Sequence, residues 1–335
     1  MLMLLRKLFC LILVSFPLST LADTVWLKNG DRLTGKIKLY DGGKLLLSTD
    51  YGGDIALKWD KIATLETDQN LLVKHDAATG EHSQGLKPAE QGKVTLVNGA
   101  EQTVEMTSIE QMMPPKPLVE DWVWNGNIDF SLERKHAEND VEDYDVDLKT
   151  NARHGRWRHN LKGEYNREKK DDVVGTDNYS GEYALDRFLD EHWFWQGRGE
   201  YTRDMIEDLE KQRSIGTGPG YQFWDNELGA FSIATLVNRN DYEFREAGKE
   251  HFYSTSLKWD YNRYLLAKQF ELFTNGEVGK PLDSVVDYAL ESEAGIRYKL
   301  TSWASLSLKA EWDKVGSSEG DVDQRRYTFG LGVGW

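Results

Sequence analysis

The segment YTFGLGVGW, Tyr327 to Trp335, alternates without a break. Tyr327, Phe329, Leu331, Val333 and Trp335 share one face, and Thr328, Gly330, Gly332 and Gly334 share the other. One face is apolar throughout and its reverse is small, which is the pattern of a strand whose greasy side meets lipid. The same texture recurs upstream and predicts twelve strands, over 122–133, 143–153, 157–166, 178–186, 193–202, 214–223, 228–238, 252–261, 270–278, 287–299, 303–312 and 326–335. Their connections differ in kind. After the odd strands come long, charged segments such as RKHAENDVE and DKVGSSEGDVDQR; after the even ones come short turns such as HGR, WDNE and LTS. An even strand count, loops sorted by length and both ends on the short-turn side predict an antiparallel transmembrane β-barrel over 121–335.

Upstream the pattern changes. From Thr24 to Thr67 five short strands are separated by the turns Asn29-Gly30-Asp31, Asp41-Gly42-Gly43 and Tyr51-Gly52-Gly53-Asp54, which suggests a small curled β domain of the SH3 or Sm type. A fainter echo follows: GKVTLVNGAEQTVEMTSI matches GKLLLSTDYGGDIALKWDKI, with Lys44 to Lys93 and Ile55 to Val104 at one offset of 49. The β domain, a degenerate duplication on this reading, covers 23–113 and ends at a linker, 114–120, stiffened by Pro114, Pro115 and Pro117. The first 22 residues resemble a secretory signal peptide, with Arg6 and Lys7 ahead of an apolar stretch from Leu8 to Leu18 and a cut expected after Ala22. That cut removes Cys10, the sole cysteine, and with it any disulfide framework or thiolate metal site.

Composition at first opposes a membrane reading. Mean hydropathy is −0.61, and after Ala22 nothing approaches the roughly 20 apolar residues of a spanning helix. A barrel removes the conflict, since only alternate residues within a band need be apolar. Arg6 and Lys7 are the only charges in the leader, so its loss takes the net charge from −15 to −17, against nucleic acid as a partner.

Aromatic placement sharpens the topology. Trp122, Trp124, Trp157, Trp193, Trp195, Trp259, Trp303 and Trp335 fall near the short-turn end and form an expected girdle, while Tyr144, Tyr165, Tyr179, Tyr201, Tyr253, Tyr288 and Tyr327 gather towards the long loops. The closing Tyr327, Phe329, Leu331, Val333 and Trp335 resemble the signal read by the barrel assembly machinery, an expected partner alongside outer-membrane lipids. Alternation turns a mixed set of charges inward: Asp129, Asp145, Asp147, Lys149, Arg198, Glu200, Lys258, Asp260, Glu291, Glu293, Arg297, Lys309 and Glu311. Interleaved signs predict ion pairs across a narrow lumen rather than a wide pore.

Candidate chemistry is sparse. His154, His159 and His192 lie at the short-turn end, and His136 and His251 lie in long loops with no serine or carboxylate at a telling spacing. No phosphate-binding glycine loop, metal-ligand cluster or cofactor motif is present, and the glycines of SIGTGPGYQ sit within a strand.

With VWLKNGDRLTGKI, LSTDYGGDIALKWDKI and the closing YTFGLGVGW, the chain resembles the YdiY-type family of salt-induced outer-membrane proteins, a domain of unknown function. The resemblance implies outer-membrane residence and a link to salt or osmotic stress; the barrel's ends on the short-turn side place the small β domain in the periplasm. The expected function is a non-enzymatic barrel of envelope integrity or salt adaptation, whose β domain docks a periplasmic protein or the cell wall. A narrow solute channel is the alternative, and a hydrolase at the outer rim the next.

Overall fold

The computed structural model describes residues 22–75, 81–116, 120–136, 140–246, 248–282, 286–317 and 322–335. The leader expected over the first residues and Pro117 of the linker lie outside them.

Ten short strands come first: β1 (Asp23–Leu27), β2 (Arg32–Asp41), β3 (Lys44–Thr49), β4 (Gly53–Lys58), β5 (Ile62–Glu66), β6 (Leu71–His75), β7 (Glu81–Pro88), β8 (Lys93–Asn98), β9 (Ala100–Glu105) and β10 (Ile109–Met113). The pairings of β1 to β5 recur in β6 to β10. In each half the first strand pairs with the second and the fifth, and the second, third and fourth form a meander. A 3-10 turn precedes the fifth strand in both, Trp59–Lys61 and Met106–Ser108. The offset between halves is 49 at Lys44 and Lys93. It falls to 47 beyond, because Lys44 pairs with Lys58 whereas Lys93 pairs with Glu105. Val104 therefore corresponds to Leu57, not to Ile55: the β8–β9 hairpin is two residues shorter than β3–β4, and a fixed offset cannot follow it.

The two halves share one core. Val25, Ile37, Leu45, Leu47, Ile62 and Leu65 pack with Leu71, Val73, Leu86, Val94, Leu96, Ile109 and Met112, all nearly inaccessible to solvent. Trp59 of the first 3-10 turn donates its indole N–H to the Met106 carbonyl of the second at 2.9 Å. Asp23 is buried at the domain edge, where its carboxylate accepts from the N–H of Ile37 at 2.7 Å and of Asp68 at 3.0 Å. Burial pushes that carboxyl above its ordinary range, and the two donors pull it back.

Twelve long strands then close on themselves: β11 (Glu120–His136), β12 (Asp140–Gly155), β13 (Trp157–Lys170), β14 (Val173–Phe188), β15 (Trp193–Asp204), β16 (Leu209–Asn226), β17 (Gly229–Phe244), β18 (Gly248–Leu265), β19 (Phe270–Pro281), β20 (Val286–Lys299), β21 (Ala304–Ser317) and β22 (Val322–Gly334). Every strand predicted by alternation is present, and most run further towards the long-hairpin end. There the ladders continue through charged stretches read as loop: β13 to Lys170, β17 to Phe244 and β21 to Ser317. Polarity marks where a strand leaves the apolar band, not where its hydrogen bonds stop. Leu228 and Trp303, assigned to strands by alternation, lie in turns.

The small domain rests on the short-turn end of the barrel. Leu39, Leu46, Leu72 and Met113 pack on Leu228 and Ala267, which belong to the β16–β17 and β18–β19 turns. Lys44 donates to Gln269 Oε1 at 3.2 Å, and Lys116 of the linker meets Asp225 at 2.6 Å. The β18–β19 turn is conformationally expensive, with Leu266, Ala267 and Lys268 all left-handed at φ of 52°, 55° and 63°. Its tip is held on both sides, by the apolar contact at Ala267 and by an ion pair between Lys268 and Glu227.

Candidate functional site

Strand alternation in a closed barrel leaves one set of side chains outside and one within. Outside, Phe329, Leu331, Phe130, Leu308 and Ile215 form a broad exposed apolar surface. The expected girdle residues Trp122, Trp124, Trp157, Trp193, Trp195, Trp303 and Trp335 are all exposed, and Trp259 is half-buried beside Gly276. Trp124 donates its indole N–H to Thr150 Oγ1 at 2.7 Å, and Thr150 donates to the Asn125 carbonyl. Trp195 repeats this arrangement with Thr217 at 2.8 Å and the Gln196 carbonyl. Trp259 reaches Thr274 at 3.4 Å. Each threonine gives an indole N–H a partner where water is scarce.

The interior is crossed by ion pairs. Lys149 on β12 meets Glu293 on β20, and Asn275 on β19 donates to the same Glu293 oxygen. Lys162 on β13 donates to Asn275 Oδ1 at 3.3 Å. Strands β13 and β19 are six places apart in a ring of twelve, so this bond spans the full width. Lys309 joins Asp147 at 2.5 Å and Glu311 at 2.9 Å and approaches Glu293 at 3.9 Å. Beside them Lys258 pairs with Glu182, and Arg198 holds both oxygens of Glu277 and one of Glu182. Together these groups form a bar of bonded side chains across the lumen, near the middle of their strands.

Towards the short turns a second layer ties Arg297 to Asp129 and to Glu271, each at 2.8 Å. Below it Arg153 meets Asp225 at 2.7 Å, and Arg158 meets Asp186 at 2.7 Å. Both guanidiniums lie on the ring of Phe188, at 4.6 and 5.0 Å, and Phe194 packs against Phe188. Gly216 and Gly220 of SIGTGPGYQ leave the space that the Asn238 side chain and the Phe194 ring occupy, and Gly218 lets the Thr235 backbone approach. Towards the long hairpins Arg326 meets Asp145 at 3.1 Å. Glu200 lies 4.0 Å from Arg198, Glu291 pairs in register with Glu277, and Asp260 faces the cavity described next.

Sequence reasoning missed several partners of these cations: Glu182, Asp186, Glu271, Glu277 and Asp225, which reads as part of the turn WDNE but lies near the end of β16. Alternation along β14 and β19 points Glu182, Asp186, Glu271 and Glu277 inward, so that much could have been read. Which strand faces which across the lumen depends on closure and stagger, and no single strand encodes that.

Between the mid-height bar and the small domain lies a cavity of about 1040 Å³. Lys149, Lys258 and Glu182 form its inner end; Lys36, Lys38, Gln69, Pro114, Pro115 and Lys116 border its mouth.

The histidines are dispersed. His159 Nδ1 bonds the Tyr183 hydroxyl at 2.7 Å, His192 Nδ1 bonds the Gln222 carbonyl at 2.8 Å, and His154 lies beside the Trp122 ring. The β17–β18 register brings a carboxylate, Asp241, opposite His251, which sequence spacing did not reveal; that carboxylate lies 3.5 Å from Arg239. His136 sits at the tip of β11, opposite Asp140. Among the described residues no three His, Cys, Asp or Glu side chains form a metal-binding group.

Twelve antiparallel strands with an apolar exterior and a charged interior define a transmembrane β-barrel. The chain belongs to the family described as Protein of unknown function, DUF481, which matches residues 128–335. No curated protein matches it. Among solved structures it is similar to the NanC porin, at 10% identity over 63% of this chain and 98% of that one, with a TM-score of 0.40. It is also similar to the translocator domain of the autotransporter NalP from Neisseria meningitidis, at 12% identity over 64% and 88%, TM-score 0.34. A third is the outer membrane channel DcaP of Acinetobacter baumannii, at 9% identity over 94% of each chain, TM-score 0.31.

Proposed function

We propose that the protein is a non-enzymatic outer-membrane barrel that maintains the envelope under salt or osmotic stress, with its small β domain on the periplasmic side. The observation that carries this reading is the bar of charges from Lys162 and Lys149 through Asn275 and Glu293 to Lys309 and Asp147. A conducting pore needs a continuous wet path, and side chains bonded across the full width stand in the way of one. Paired inside a low-dielectric wall, such charges fix one arrangement of the barrel, because any displaced member leaves its partner uncompensated. The salt link comes from the YdiY-type resemblance.

Planar-bilayer recording on the refolded full chain tests the closed state: no unitary steps are expected, and steady porin-like conductance would overturn it. A deletion strain tests the physiological half. Growth equal to that of the parent in high salt, detergent and chelator would remove that half.

The narrow-channel reading rests on the cavity below the bar, whose volume of about 1040 Å³ would hold a small solute.

A further inference from the structure

The cavity between the bar and the small domain has the opposite charge to the chain that encloses it. Its lining carries eleven Lys and Arg side chains against six Asp and Glu, in a protein of net charge −15. Most of the cations on its inner wall are engaged, Lys149 with Glu293, Lys258 with Glu182 and Arg297 with Asp129 and Glu271. Four are not matched in this way. Among the described residues no carboxylate oxygen lies within 4 Å of the ammonium groups of Lys36, Lys38, Lys162 or Lys299. These four come from separate parts of the fold: β2 of the small domain supplies two, and β13 and β20 of the barrel supply the others. A sequence this acidic could readily have placed carboxylates beside them, and an unneutralised positive cavity focuses anions.

The rest of the lining narrows the chemistry. Ten of its residues are Asn or Gln. Asn160 and Asn262 are bonded within the protein through both amide atoms, whereas Gln69 Nε2 and Gln196 Oε1 are buried without a hydrogen-bond partner among the described residues. Amides offer a donor and an acceptor together, which suits hydroxyl groups rather than a bare ion. Tyr264, Phe273 and Trp303 add aromatic faces. A volume of about 1040 Å³ exceeds what an inorganic ion fills and lies at the upper end of the range of organic ligand sites.

From these observations we infer that the cavity binds a hydroxylated organic anion, such as a sugar phosphate or sugar carboxylate, admitted at the mouth bordered by Lys36, Lys38 and the turn residues Thr301 and Ser302. The anionic group is held by lysines that lack carboxylate partners, and the hydroxyls by the amides. This goes beyond the envelope role proposed above, since a closed barrel could serve that role with an empty or neutral cavity.

Isothermal titration calorimetry on the full chain, folded in non-ionic detergent at low salt, provides the test. The probes are glucose 6-phosphate, glucose and inorganic phosphate. Saturable binding of glucose 6-phosphate is expected, weakened by added salt, with glucose and phosphate each at least about tenfold weaker. The variant Lys36→Gln/Lys38→Gln, altered only on the small domain, should bind about tenfold less while keeping the heat-resistant electrophoretic mobility of a folded barrel; Lys299→Gln should do the same. Absence of saturable binding, or equal affinity in the folded lysine variants, overturns the site. Phosphate binding as tightly as the sugar phosphate overturns the role given to the amides, and glucose binding as tightly overturns the role given to the lysines.

Discussion

Lys162 donates to Asn275 across the whole diameter of the barrel, at 3.3 Å, from strands that are not neighbours in the ring. Asn275 passes the contact on to Glu293, which is held in turn by Lys149 and Lys309. Lys149→Ala combined with Lys162→Ala removes two of the three cations that hold Asn275 and Glu293, leaving Lys309. Single-channel recording is expected to show discrete openings in this variant and none in the parent, with Asn275→Ala intermediate.

Arg198 is buried and engages Glu277 and Glu182 together. Arg198→Met keeps the length and leaves two carboxylates short of a cation. Breaking a buried charge pair costs about 3–5 kcal/mol, and the loss should appear in urea denaturation of the refolded barrel. The double variant Arg198→Met/Glu277→Met should recover part of it.

The tryptophan girdle depends on hydroxyls that hydropathy ignores. Thr150→Val and Thr217→Val keep the shape and strand propensity but leave the Trp124 and Trp195 indole N–H groups without their partners. A loss of about 1 kcal/mol per site is expected, with a shifted tryptophan emission. Thr→Ser at either position should retain wild-type emission.

The small domain is held to the barrel through Ala267 at the tip of a left-handed turn. Ala267→Asp puts a charge against Leu39, Leu46 and Met113. Detachment is expected, read as faster proteolytic cleavage between the domains. A Lys44→Cys/Gln269→Cys crosslink should then form more slowly than without the aspartate.

Asp190 caps the β14–β15 turn, accepting from the N–H of His192 at 2.8 Å and of Trp193 at 2.7 Å. The Trp193 and His192 amides hold its carboxyl below the ordinary value of 3.8. A depressed carboxyl stabilises the fold above the unfolded pKa and loses that contribution as pH falls through the folded one. Exchange protection at the His192 and Trp193 amides should therefore exceed that of Asp190→Ala near neutrality. The difference should vanish as pH falls below 3.8.

Period-two alternation was enough to find twelve barrel strands and to turn Asp129, Lys149, Lys258, Glu293 and Lys309 inward, because the lipid-facing side of each strand is chemically unlike its reverse. Strand ends were less legible: beyond the apolar band the contrast breaks down, as in the ladder of Tyr242 to Phe244 with Gly248 to Glu250, where the charged Glu243–Lys249 pair takes over the outward face and Tyr242 the inward one. Partners across the lumen, such as Glu182 for Lys258, were hidden for another reason: they are set by ring closure, a property of all the strands at once. The docking of Leu228 and Ala267 was equally invisible, since each reads as an ordinary turn residue until the small domain is placed against it.

The joint between first and last strands is far shorter than any other in the wall. Beyond the backbone bonds of Gly126 with Trp335, β11 and β22 are paired only from Asn127 to Phe130, whereas β19 and β20 are matched over ten positions. Above Phe130 the contact passes to a side chain, with Ser131 Oγ donating to the Phe329 carbonyl. A cylinder fastened this way has a preferred line of rupture: lateral tension in the bilayer would part it beside Ser131, at the long-hairpin end, while the ring of tryptophans at the opposite rim kept its grip.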